Sequence, residues 1–152
     1  MRKRLTVLLL LLALCVPVFA EEAAPAPRFD GLYAYVREAD NGAVYNSVLR
    51  FYPEGVIGVT VAKSEETGRY FPRASWFNRE DGRFDGFLGP WTAEGNRISL
   101  SILSDVGTLD YAGELQPDRL ILTGFSHING RDIPERVFVF VPFDEIPGWL
   151  DV

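Results

Sequence analysis

From residue 31 to residue 143 the chain is a succession of short segments in which apolar and polar positions alternate with a period of two. Residues 31–36 (GLYAYV) end at the turn signal Asp40-Asn41-Gly42. Residues 44–52 set Tyr45, Ser47, Leu49 and Phe51 against Asn46, Val48 and Arg50. Pro53-Glu54-Gly55 then turns the chain into residues 56–62, because proline presets φ and glycine accepts a positive φ. Segments 87–92, 97–103, 108–115, 119–126 and 133–143 follow. Their separators include Glu94-Gly95-Asn96, Gln116-Pro117-Asp118 and Asn129-Gly130, the last a favoured pair for a primed hairpin turn. The pattern predicts eight strands, and connections this short make the neighbours antiparallel.

Alternation places one face of each strand inside and the other in water. An open eight-stranded meander leaves two unpaired edges, which closure removes. The predicted fold is all-β, an antiparallel eight-stranded up-and-down barrel, favoured over a sandwich. Its interior is just wide enough to be filled by side chains or to hold one small ligand. Gly113 and Gly124 share strand faces with inward leucines and tyrosine; they either leave room inside or relieve crowding at bends.

Residues 63–86 break the pattern. The stretch 72–79 (PRASWFNR) suits one or two helical turns with Pro72 near the start, so one short helix is expected in this long connector. Tyr70, Phe71, Trp76, Phe77 and Phe84 offer more apolar surface than a solvated loop wants. The first expectation is a helix that plugs one barrel end. The alternative is a lid or rim whose aromatics, with Arg69, Arg73, Arg79 and Arg83, touch a ligand or partner. The expected ligand-contact residues are Tyr70, Arg73, Trp76 and Phe77 in the connector, with Phe87 and Tyr111 on the strands.

Ahead of the strands, Met1-Arg2-Lys3-Arg4 is a basic n-region, and residues 5–16 carry seven leucines. Val18 and Ala20 precede Glu21 at the −3 and −1 positions of a signal-peptidase site. The apolar run is shorter than the roughly 20 residues a spanning helix needs, so residues 1–20 are expected to be a cleaved signal and not an anchor. Residues 21–28 then form a flexible linker, 29–143 the barrel and 144–152 a C-terminal tail. The expected localisation is export, to a periplasm or beyond the cell, with no integral membrane segment after cleavage.

Removing that signal takes the basic count from 15 to 12 against 21 acids, and the net charge from −6 to −9. Such a balance argues against nucleic acid, whose binding depends on cationic side chains. The one cysteine, Cys15, lies in the signal with Leu14 before it, an unsuitable lipidation context. The exported part then has no thiol for a disulfide or thiolate metal site. His127 is the single histidine, so no multi-histidine metal centre is expected, and no cofactor. A Ser126–His127 nucleophile pair, oriented by Asp110 or Asp132, is conceivable, but strand neighbours face opposite ways. No carboxylate pair or phosphate-binding glycine loop stands out. No catalytic residue is assigned, and the chain is expected not to be an enzyme.

Gly31-Leu32-Tyr33 at the head of a meander resembles the first-strand glycine–x–tryptophan element of lipocalin and calycin barrels. Residues 48–55 (VLRFYPEG), Tyr111-Ala112-Gly113 and residues 126–130 (SHING) look like small exported bacterial lipocalin-like proteins. Tyr33 stands where a lipocalin has tryptophan, and Thr108-Leu109-Asp110-Tyr111 only approximates the family's threonine–aspartate–tyrosine element. The resemblance implies a barrel with a pocket, and Arg136 as the arginine that packs across the first-strand aromatic. Two partners are therefore in view. One is a small apolar or amphipathic ligand; the other is an envelope protein, bound by the connector and loops of a hydrolase inhibitor or assembly factor.

Overall fold

The computed structural model describes residues 25–62, 77–78, 80 and 83–146. The strands are β1 (Gly31–Glu38), β2 (Val44–Tyr52), β3 (Gly55–Ala62), β4 (Phe77–Asn78), β5 (Arg83–Phe84), β6 (Trp91–Glu94), β7 (Arg97–Ser104), β8 (Gly107–Gln116), β9 (Arg119–Ser126) and β10 (Arg131–Pro142). Eight of them form one antiparallel sheet in the order β3-β2-β1-β10-β9-β8-β7-β6. Each pairs with its chain neighbour, except that the first strand also pairs with the last: Tyr33 lies opposite Phe140 and Ala34 opposite Val139. The sheet curls so that β3 comes round to face β7. The protein is an all-β, nearly closed up-and-down barrel, an architecture compatible with the lipocalin-like fold.

Most turns fall where their residues predict, but Gly55 does not take the positive φ expected of it; glycine is needed there because a Cβ would meet Leu88 and the Gly89 carbonyl. Two-residue loops join Tyr52 to Gly55, Glu94 to Arg97, Ser104 to Gly107 and Gln116 to Arg119. Asn129-Gly130, in contrast, does not make a two-residue primed turn. The loop takes four residues, 127–130, and only Gly130 has a positive φ, 67°. Closure rests on Val56 and Gly89, which exchange backbone hydrogen bonds of 2.8 and 2.9 Å. A Cβ on Gly89 would lie 1.8 Å from the Ser101 carbonyl oxygen, so only glycine lets the strands approach there. Beyond that bridge no ladder joins β3 to β7; Gly58 instead receives the side chain of Ile102.

One irregularity positions the site. Between Ile133 and Arg136 the pairing of β10 with β9 slips, leaving Pro134 and Glu135 against a single residue of β9. Proline supplies no ladder donor, so a bulge is where a strand accepts it. The extra residue returns Arg136, Phe138 and Phe140 to the inner face shared by Ile133.

Two cores result. The inner one contains Tyr33, Leu49, Phe51, Leu100, Leu122 and Phe138 among its members. The outer one lies on the far face of β1, β2 and β3, where Leu32, Val48, Tyr52 and Ile57 meet Phe84 and Ile146. Leu88, Val141 and Phe143 pack on its margin. The expectation of one dry and one wet face therefore fails for β2: five consecutive residues, Val48 to Tyr52, are buried. The reason is that the connector's end and the 3-10 turn Phe143–Glu145 fold back over this half.

The connector differs from expectation as well. Phe77 and Asn78 are extended and pair with Phe84 and Arg83 in a two-residue ladder, so the helix expected over 72–79 does not include them. Phe84 covers the outside of the barrel and does not plug its end. The extended backbone suits β-prone Phe77, while Tyr52 holds the returning segment by accepting the Phe84 N–H at 2.8 Å. Residues 63–76 lie outside the described residues, as do the expected signal and the first part of the linker. Pro27 is already buried, and Arg28 stacks on Phe140 at 3.8 Å while its N–H reaches the Tyr33 hydroxyl at 3.0 Å.

Candidate functional site

One half of the barrel interior is filled. The Tyr33 ring meets Phe51 at 5.5 Å and Phe140 at 5.1 Å, and Trp91 closes on Phe51 at 5.9 Å. Trp91 is fixed by its own Nε1–H, given to the Tyr52 carbonyl at 2.8 Å.

Toward the other end, where β3 and β7 face each other without a ladder, there is a cavity of about 340 Å³. Leu49, Ile102, Leu109, Tyr111 and Phe138 give it apolar walls. Ser47, Thr60, Ser104 and Arg136 contribute polar groups, and Val106 stands at the rim. The volume falls within the range of small-molecule sites, which are mostly apolar with a few placed polar groups. Ser47 and Thr60 hydroxyls bond each other at 3.1 Å. Arg136 donates from Nη1 to the Tyr111 hydroxyl at 3.2 Å and lies 5.3 Å over the Tyr35 ring. Burial holds the Tyr111 phenol above its ordinary pKa, with Arg136 working in the opposite sense.

Of the residues named from sequence, Tyr111 lies on this inner wall. Phe87 does not join it: it bridges to Leu103 and is 53% exposed. Phe77 is in β4, and Tyr70, Arg73 and Trp76 lie outside the described residues. Arg136 packs across Tyr35, not Tyr33, whose neighbouring ring Phe140 carries Arg28 instead. The inward glycines 113 and 124 do not line the cavity. A Cβ on Gly113 would strike the Ile121 carbonyl at 1.9 Å, and Gly124 lies under the Tyr111 ring. They relieve crowding. Arg136 is the wall residue that alternation alone misses, and Pro134 was the available signal, since a strand proline marks a bulge and a bulge shifts the inward set.

A second constellation lies on the opposite, outer face of β7 and β8. Asp110 accepts from Ser101 Oγ at 2.6 Å on Oδ1 and meets His127 Nε2 at 2.7 Å on Oδ2. These bonds, Ser101 first, lower the Asp110 pKa. The carboxylate stands between the hydroxyl and the ring, so His127 is not in position to take the Ser101 proton, as a nucleophile pair requires. Ser126 is buried on the inner side, facing away from half-exposed His127. Two larger depressions, about 580 and 750 Å³, lie over this outer face but are open to solvent. Among the described residues no three His, Cys, Asp or Glu gather as a metal site. No helix of the described residues is long and apolar enough to cross a membrane.

No protein-family model, no curated protein and no solved structure matches this chain.

Proposed function

We propose that this chain is an exported, non-catalytic lipocalin-like barrel that holds a small apolar or amphipathic molecule in the cavity beside Tyr111. The observation that carries this reading is the partly enclosed, largely apolar cavity of about 340 Å³ between the filled half of the barrel and the unlaced β3–β7 side. Export to a periplasm or beyond rests on the basic, leucine-rich and small-residue order of residues 1–20. The test is an NMR titration of the protein with 1-naphthol. Amide shifts concentrated at Leu49, Ile102 and Tyr111, lost in Thr60→Trp where the new ring fills the space, are the expected result. A wild-type titration that moves none of these amides removes the proposal.

Phe87, more than half exposed where the connector ends, favours a second reading as an envelope protein-binding module. Phe87→Ser then weakens capture of a partner from an envelope extract and leaves naphthol titration unchanged.

A further inference from the structure

We infer that the molecule this cavity selects is a compact organic anion whose charge sits on Arg136. This rests on the cavity being a ligand site, and it adds which class of ligand. The bulge at Pro134 brings a guanidinium onto a wall that is otherwise mostly hydrocarbon. There it is half-buried, with one N–H given to Tyr111 and its face laid on Tyr35. Among the described residues no carboxylate lies within ion-pair distance of it. A guanidinium has five N–H donors in a fork matched to a carboxylate, and one hydroxyl uses few of them.

When an apolar body fills the cavity it strips water from that cation. A neutral ligand end leaves the charge desolvated and without a counterion, which is costly. A carboxylate takes two of the N–H donors and restores the balance. The selection is local, because the net charge of −9 on the chain without residues 1–20 repels an anion at a distance.

Size sets the second limit. The stacked rings of Tyr33, Phe51 and Phe140 occupy the barrel beyond the cavity. At interior packing density the roughly 340 Å³ left over admits about a dozen non-hydrogen atoms, enough for a two-ring aromatic acid or a medium-chain acid but not a long-chain one.

The experiment titrates the protein at pH 7 with 1-naphthoate, octanoate, 1-naphthalenemethanol and palmitate, by calorimetry and NMR. The acid 1-naphthoate binds at least about tenfold tighter than its alcohol, as expected for a charge-assisted bond in a site of low polarity. In Arg136→Gln that ratio falls to about one, because the acid loses its counterion and the alcohol no longer strands a charge. Octanoate competes with naphthoate, and palmitate does not. Equal wild-type affinity for acid and alcohol overturns the anion assignment and leaves the cavity reading standing. Palmitate binding as tightly as naphthoate overturns the size limit. If neither naphthyl compound binds, the cavity reading fails along with the inference. The acid-to-alcohol ratio is a wild-type measurement, so it decides the matter even if Arg136→Gln does not fold.

Discussion

The two halves of this barrel bury their strands differently. On β7 the burial pattern alternates: Ile98, Leu100 and Ile102 point inward while Arg97 and Ser99 stay in water. On β2 both faces are covered, and residues that solvent would accept elsewhere are trapped. Asn46, 1% exposed, has no hydrogen-bond partner for either side-chain atom among the described residues. Arg50, 9% exposed, gives Nη1 to the Phe29 and Gly31 carbonyls, has no partner for Nε among the described residues and is stacked between Tyr52 and Phe143. Desolvation lowers its pKa. The same period of two thus carries opposite penalties in the two halves, according to what lies over the outer face. Polar outward residues are neutral over β7 and expensive over β2.

Four substitutions sharpen or break that contrast, each read by urea denaturation. Phe51→Ala, in the inner core between Tyr33 and Trp91, is expected to cost about 3–5 kcal/mol, because the cavity it leaves cannot collapse among packed rings. Gly89→Ala comes next, at about 3 kcal/mol, since the new methyl meets the Ser101 carbonyl and pushes the Val56 bridge apart. In the doubly covered half, Asn46→Leu is expected to stabilise by about 1–2 kcal/mol, replacing an amide without a partner among the described residues by an apolar side chain of the same branching. A loss of stability there would mean the amide has a partner, and the contrast between halves would weaken. On the singly covered half, Asp110→Asn should change stability by less than about 1 kcal/mol, as half-solvated pairs do.

The pH dependence of that last site has a definite sign. The hydrogen bonds from Ser101 and His127 lower the Asp110 pKa, so the folded state favours the charged carboxylate. Its contribution is present above the ordinary aspartate value and is lost as pH falls through the lower folded value. Asp30 and Asp118, paired with Arg28 and Arg119, act in the same direction. Stability should decline below about pH 4, and Asp110→Asn should slightly flatten that decline.

Local chemistry explains what could be read in the chain and what could not. The strands and most hairpins follow from alternation and turn residues, which act within a few positions. The pairing of β1 with β10 follows from closure. Covering of the outer face depends on where residues 84–88 and 143–146 return, a long-range fact with no local signature. Asn46 and Arg50 therefore read as solvent-facing, and Phe84 read as part of an end plug. At the site, Tyr111 was legible as an inward residue of β8. Arg136 was named only through the resemblance, against Tyr33; alternation misses it, because one extra residue at the bulge reverses the parity of everything after it in β10.

The pairing of Gly31 with Pro142 has a consequence for how the molecule is made. Synthesis runs from the first strand to the last, so the early hairpins can form while β1 still lacks its second neighbour. That neighbour arrives only when the final strand emerges, and until then one flank of the nascent sheet stays open to other chains. Circular permutation that joins the adjacent ends and opens the Gln116–Arg119 turn would make this contact local, shorten the open interval and speed folding.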